Sequence, residues 1–208
     1  MRLLWQFVVA RSAQNKMTPA QIQDCVNALK INFEKHGETC QSPRRVLLSG
    51  EAHCLEAALL AASLLRVQGQ KPLIVHMAAE DPDDDHAIAV FRRGKFWGAI
   101  SKSNHAVLRY REPIYANVRE LVMSFFHEYF LQKNGKKTLR SYTQPINLSR
   151  FDYLDWEAAE DDLWELSDAL TDAPHIRLLT PAQIRHLRPA DTIERKAGEL
   201  VQEKLTVL

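Results

Sequence analysis

Ser49-Gly50-Glu51-Ala52-His53-Cys54-Leu55-Glu56-Ala57-Ala58-Leu59-Leu60 opens the most apolar helix that the sequence predicts, and its reading decides the fold. From Glu51 to Val67 every residue is a good helix former, and Leu55, Ala58, Leu59, Ala62 and Leu65 make a wide apolar face that ends at Gly69. Such a helix belongs at the centre of a domain. A cysteine in its first turn sits at the positive end of the helix dipole, near amide N–H groups that lack an intrahelical partner. That setting favours thiolate, can lower the thiol pKa from about 8.5, and offers donors for an oxyanion. Cysteine in an apolar helix is also commonly a small buried hydrophobe, so the chemistry depends on a base nearby.

Outward from this helix, the pattern changes period after Pro72. Leu73 to Ala78, His86 to Phe91, Lys95 to Ser101 and Ala106 to Tyr110 are short runs rich in Val, Ile and aromatics, separated by turn residues. They predict an antiparallel sheet. Upstream, Thr18-Pro19-Ala20-Gln21 is a capping-box start with Pro at the first helical position, and Ile22, Val26, Leu29 and Phe33 recur at helical spacing until Gly37. Downstream, Val118, Leu121, Val122, Phe125, Phe126 and Tyr129 mark an amphipathic helix over about 116 to 132. Beyond Pro145 the chain reads as helical: 153 to 170, a turn at Thr180-Pro181, and a last helix capped by Asp191 with Glu194.

The sheet supplies the base. His86 shares a strand face with Ile88 and Val90, whereas Ala87, Ala89 and Phe91 point the other way. With Arg92-Arg93-Gly94-Lys95 as the hairpin loop, Phe91 opposes Phe96, Val90 opposes Trp97, Ile88 opposes Ala99 and His86 opposes Ser101. A slip of two puts Ser103 there instead. A hydroxyl on the neighbouring strand accepts the His86 ring N–H and fixes its tautomer, leaving the other nitrogen for Cys54. His53 adjoins Cys54 but lies about 100° around the helix, which suits it less well than His86 to act as base.

This order of parts resembles the transglutaminase-like superfamily within the papain-like cysteine-enzyme fold. The resemblance runs from about Ser49 to Ser103 and rests on Gly50, Cys54, the Ala58-Leu59-Leu60 helix, Gly69, His86, Phe91, Gly94 and Trp97-Gly98 in that order. It implies an α+β fold with the Cys-bearing helix packed on an antiparallel sheet. It also implies Cys54 as nucleophile, His86 as general base and acid, Ser101 as orienter and Trp97 as a wall of the site. The implied reaction is acyl transfer or hydrolysis on an amide of a peptide or protein, without metal or organic cofactor. The family carries an aspartate four residues after the strand tryptophan, where this chain has Ser101. A neutral hydroxyl orients an imidazole but does not stabilise its imidazolium as a carboxylate does. The alternative expectation is therefore a catalytically impaired module that binds a peptide or protein partner through the same cleft.

Composition sets the remaining bounds. The chain has 208 residues, 46% hydrophobic and 25% charged, the make-up of an ordinary globular protein, with a formal net charge of +1 that argues against a nucleic-acid partner. The charge is uneven: residues 150 to 208 hold seven Lys/Arg and thirteen Asp/Glu, a balance of −6, leaving the remainder at +7. That opposition predicts a tail docked on the body. The expected organisation is a transglutaminase-like core with N-terminal helices over 1–145 and a helical C-terminal extension over 146–208. Cys25, Cys40 and Cys54 form no CxxC pair and read as free thiols of a reducing, cytoplasmic compartment. No run of eighteen apolar residues predicts a membrane span. The opening Met1 to Ala10 is too interrupted by Gln6 to read as a signal peptide, and Leu3, Leu4, Phe7 and Val8 share a helical face suited to core packing.

Competing constellations are weaker. Asp81, Asp83, Asp84, Asp85 and His86 suggest a cation site, but they lack the Gly and the distal bidentate Glu of a calcium loop and read as a solvated acidic turn. His127-Glu128 is followed by Leu131 where a zinc-protease helix needs His. The basic stretch from Arg92 to Arg111 reads as a solvated face plus core aromatics rather than a nucleic-acid platform.

Overall fold

The computed structural model describes residues 16–201; the expected face of Leu3, Leu4, Phe7 and Val8 lies outside the described residues. Helix α1 (Pro19–Ala28) starts on the predicted capping box, with Thr18 Oγ1 accepting from the Gln21 N–H. It ends at Leu29 and not near Gly37, because Lys30–Ile31 (β1) turns away to pair in parallel with Glu51–Ala52 (β2). The buried ammonium of Lys102 donates to the carbonyls of Val26 and Leu29 at 3.1 and 2.7 Å, so the end of α1 is satisfied by a side chain and its dipole by a cation. Phe33, the last residue of the helical spacing, is left 43% exposed in the loop beyond.

Helix α2 (Pro43–Ser49), capped by Ser42, terminates on Gly50 at φ 72°, a left-handed conformation in which a side chain is disfavoured. Gly50 thereby turns the chain into β2. Helix α3 (Cys54–Val67) follows, three residues later than its propensity suggests, since pairing with β1 holds Glu51–Ala52 extended and His53 becomes the N-cap.

Strands β3 (Leu73–Ala79), β4 (His86–Arg93), β5 (Phe96–Ile100), β6 (Arg111–Tyr115), β7 (Leu139–Thr143), β8 (Ile146–Asn147) and β9 (His175–Arg177) form a seven-stranded sheet in the order β6-β5-β4-β3-β7-β9, with β8 also on β3. Its pairings are antiparallel. The chain is thus an α+β protein with the Cys54 helix packed on the sheet. The run from Ala106 to Tyr110, expected as a strand, is loop, and pairing begins at Arg111.

The sheet is covered on both faces. Alanines meet across one interface: Ala57, Ala58, Ala61 and Ala62 of α3 share a buried cluster with Ala87 and Ala89 of β4. Small side chains on both partners allow close approach of helix and strand, which brings the start of α3 to the start of β4. The other face, with Val75, Met77, Ile88, Val90 and Ala99, packs against Leu121, Val122, Phe125 and Phe126 of helix α4 (Val118–Phe126).

The region from 146 onward, expected to be helical, contributes two strands, β8 and β9, to the sheet. A 3-10 segment (Leu148–Leu154) and helices α5 (Trp164–Thr171), α6 (Pro181–Arg185) and α7 (Thr192–Gly198) make up much of the rest. Asp191 and Glu194 form the predicted capping box of α7. Leu148, Phe151, Trp156, Leu163, Leu166 and Leu170 belong to the same buried cluster as α3. Ion pairs Arg44–Glu160, Arg45–Asp162 and Arg66–Asp152 join the basic body to the acidic tail. Among the described residues no helix is long and apolar enough to cross a membrane.

Candidate active site

The hairpin between β4 and β5 turns on Gly94-Lys95 and not on four residues, so that Arg93 opposes Phe96, Arg92 opposes Trp97 and Val90 opposes Ala99. The register is slipped by two from the expected one, and Ser101 follows the last paired rung, Ala89 with Ile100. Even so, the His86 ring reaches diagonally to Ser101, with Nε2 2.8 Å from Oγ. The parity of the face survives a slip of two, and both side chains belong to the face that carries Ile88, Val90 and Ala99.

The direction of this hydrogen bond follows from its neighbour. Ser101 Oγ donates its one proton to the Leu108 carbonyl at 2.6 Å, so it accepts from His86 Nε2–H. His86 Nδ1 is then the nitrogen available to Cys54, whose sulfur shares a hydrogen bond with the His86 side chain. Ser101 itself is fixed at both ends: Gln23, buried on α1, accepts from the Ser101 N–H and donates to the Ser101 carbonyl, each at 2.9 Å.

The His53 ring also interacts with the sulfur. Its Nε2 lies 2.9 Å from the Thr39 carbonyl, 3.5 Å from Glu56 Oε1 and 3.9 Å from Glu34 Oε1, and its Nδ1 is 3.3 Å from the Leu55 N–H. Glu56 is fully buried and accepts from Asn32 Nδ2, Thr39 Oγ1, the Gln41 N–H and the His53 N–H, all within 3.1 Å. Its partners are all donors, the environment of a carboxylate.

Burial opposes charge on the Cys54 sulfur, but the hydrogen bonds and positive charge of His53 and His86 outweigh it and pull the thiol down to about 5. Burial likewise opposes charge on His53, yet the Cys54 hydrogen bond and the Glu56 carboxylate push that ring up to about 9. The other thiols behave in the opposite way: burial drives Cys40 up to about 12, and burial with Asp24 raises exposed Cys25.

Cys54, His53, His86, Lys102 and Tyr129 line a cleft of about 300 Å³. Ser101 lies behind His86, buried and outside this lining. Tyr129 donates from its hydroxyl to the Asp84 carbonyl, tying the acidic turn 81–85 to the mouth of the cleft. A larger groove of about 750 Å³, lined in part by Leu29, Ile31, Phe33 and Gln41, adjoins the cleft at Ile31. Neither Cys54 nor His86 lines that groove, so the chemistry belongs to the smaller space. The N–H of Cys54, the first helical residue, has no intrahelical acceptor by position and is available to an oxyanion.

Trp97, expected as a wall of the site, stands apart. It lies four residues from Ser101 at the hairpin end of β5, about 13 Å along an extended strand, under the Arg92 guanidinium at 4.8 Å from the ring centre. The four-residue spacing from Trp97 to Ser101 carries both side chains to one face but to opposite ends of the strand. Sequence reasoning overlooked Gln23, Glu56 and Lys102 and underrated His53. Glu56 alone carried a signal, as the residue three after a helix N-cap. Among the described residues no group of three or more His, Cys, Asp or Glu side chains is arranged to hold a metal ion.

No protein-family model matches the chain, and no curated protein sequence matches it.

Proposed function

We propose that this chain is a cysteine-dependent acyltransferase or hydrolase acting on an amide of a peptide or protein, with a papain-like, transglutaminase-like core. The observation that carries the reading is Cys54 at a helix N-terminus, lining one cleft with a His86 ring whose far nitrogen is committed to Ser101. Unpaired cysteines fit a reducing compartment such as the cytoplasm.

The chemistry proceeds from a thiolate whose proton rests on the neighbouring imidazoles. Sulfur attacks the amide carbonyl carbon, and the oxygen takes the electron pair against the Cys54 N–H. Collapse breaks the C–N bond, and His86 Nδ1–H gives its proton to the departing amine, leaving a thioester on Cys54. Water or a second amine then attacks, giving a proton to His86 as the C–S bond breaks and the thiolate returns with the imidazolium. The Nε2–H···Ser101 bond keeps the ring in the tautomer that both steps need.

The alternative, a binding module that has lost turnover, draws on the neutral Ser101 in the place of an aspartate. Iodoacetamide labelling near neutral pH separates the two. Fast labelling of Cys54, with turnover of a peptide amide that is lost in His86→Ala, supports the enzyme. Labelling of Cys54 no faster than that of exposed Cys25 overturns it.

A further inference from the structure

The two rings beside the Cys54 sulfur have different surroundings. On the His86 side, Nε2 faces the neutral Ser101 hydroxyl, and the nearest further charges are unhelpful: the His76 ring, and Asp85, whose carboxylate accepts from the Ala79 N–H and faces His76 Nε2 at 3.5 Å. On the His53 side, Nε2 faces the Thr39 carbonyl, the buried Glu56 carboxylate and the Glu34 carboxylate. Asp83, Asp84, Lys102, His105, Glu128 and Tyr129 also line the cleft, and the Tyr129 phenol is driven upward first by burial and then by the Asp83 and Cys54 charges, so it stays protonated.

We propose that His53, backed by Glu56, is a second catalytic histidine: it holds the proton that leaves the Cys54 thiol and forms the resting ion pair, while His86, its Nε2–H given to Ser101, is the ring that delivers a proton to the substrate. This rests on the reading of Cys54 as a nucleophile and assigns its counter-charge. The carboxylate missing beside His86 is present beside His53, supplied by the third residue of the same helix. Formation of the pair breaks the S–H bond and makes the His53 Nδ1–H bond. The Leu55 N–H then loses a long contact of 3.3 Å to that nitrogen, and the thiolate at the helix N-terminus takes over the favourable interaction with the dipole. When an amide substrate is seated, the same proton crosses by way of sulfur to His86 Nδ1, from which it goes to the leaving amine. One ring stores the proton and the other delivers it.

The arrangement also accounts for a neutral orienter at Ser101. A carboxylate there would draw the charge to His86 and leave His53 and Glu56 to compete for it. With Ser101 neutral, the buried negative charge of Glu56 has one cation to neutralise it, and that cation touches the nucleophile.

The test uses the intact chain labelled with ¹⁵N-histidine at pH 7, where ring nitrogen shifts report protonation and tautomer, with His53→Gln and His86→Gln assigning the two rings. The expected result is His53 protonated on both nitrogens and His86 carrying its proton on Nε2. A second measurement follows Cys54 thiolate absorbance against pH. In H86Q the inflection rises as that ring's contribution is lost but stays well below the ordinary thiol value, and in H53Q it rises further, by about a unit beyond H86Q, which means roughly tenfold less thiolate than in H86Q at a pH below both inflections. If H53Q does not fold, H86Q decides alone. A neutral His53 beside a charged His86 at pH 7, or loss of the low inflection in H86Q, overturns this proposal and leaves the nucleophile intact. Two neutral rings beside a protonated thiol overturn both.

Discussion

The Ser101 hydroxyl gives its proton to the Leu108 carbonyl and therefore receives one from His86, which fixes the imidazole with Nδ1 free for the Cys54 sulfur. The relationship is local and testable. In Ser101→Ala the buried Nε2–H loses its acceptor, at a cost of about 1–3 kcal/mol, and the ring is free to take the other tautomer. Amide turnover of the folded protein should fall about 10- to 100-fold, with the thermal midpoint lowered by several degrees; unchanged turnover would remove Ser101 from the mechanism.

Gln23 works one step further back. Replacing it with Met leaves the buried Ser101 N–H and carbonyl without partners, and each orphaned group costs about 1–3 kcal/mol. Urea unfolding should show a loss of about 2–6 kcal/mol. The folded fraction of Gln23→Met should also turn over more slowly, because the displaced Ser101 no longer aligns His86.

Lys102 gives a pH-dependent contribution whose sign is fixed. Burial, reinforced by Arg109, lowers its ammonium from 10.5 to about 8, so between these values the unfolded chain binds more protons and stability rises with pH. The cost of burying the charge is complete below pH 8 and is relieved on the way to 10.5. Across that window the parent should gain on the order of 3 kcal/mol relative to Lys102→Met. Parallel stability curves for the two proteins would contradict a buried ammonium.

Trp156 reports whether the acidic tail is part of the core. It is buried beside α3, and its Nε1–H donates to Asp152, which in turn pairs with Arg66 of that helix. Trp156→Ala should cost about 3–5 kcal/mol in a single cooperative transition. A separate low-stability transition would show that the tail folds by itself.

The legible parts of the sequence were those set by short-range chemistry. Thr18 with Gln21, and Asp191 with Glu194, announce caps because side chain and backbone partners lie three residues apart. Cys54 at the head of an apolar helix and the parity of His86 with Ser101 were legible for the same reason: period alone determines the face. What failed was set by distant partners. Glu51–Ala52 has helical propensity, but β1 holds it extended. The hairpin register depends on whether Arg92 and Arg93 end the strand or enter the turn, and their charge suggested the wrong answer. Glu56 looks like an ordinary cap until the loop bearing Asn32, Thr39 and Gln41 folds over it. His53 was underrated because helix geometry places neighbouring residues about 100° apart, whereas an N-cap residue has left the helix and its ring turns back toward the first turn.

The central claim is that Cys54 rests as a thiolate, and ultraviolet absorbance of thiolate in the Cys25→Ser protein, followed from pH 4 to 10, reads it directly. Cys40 stays silent over that range because burial drives its thiol to about 12. The account predicts one thiolate appearing with an inflection near 5. A first inflection near 9, the ordinary value for a thiol, would contradict it.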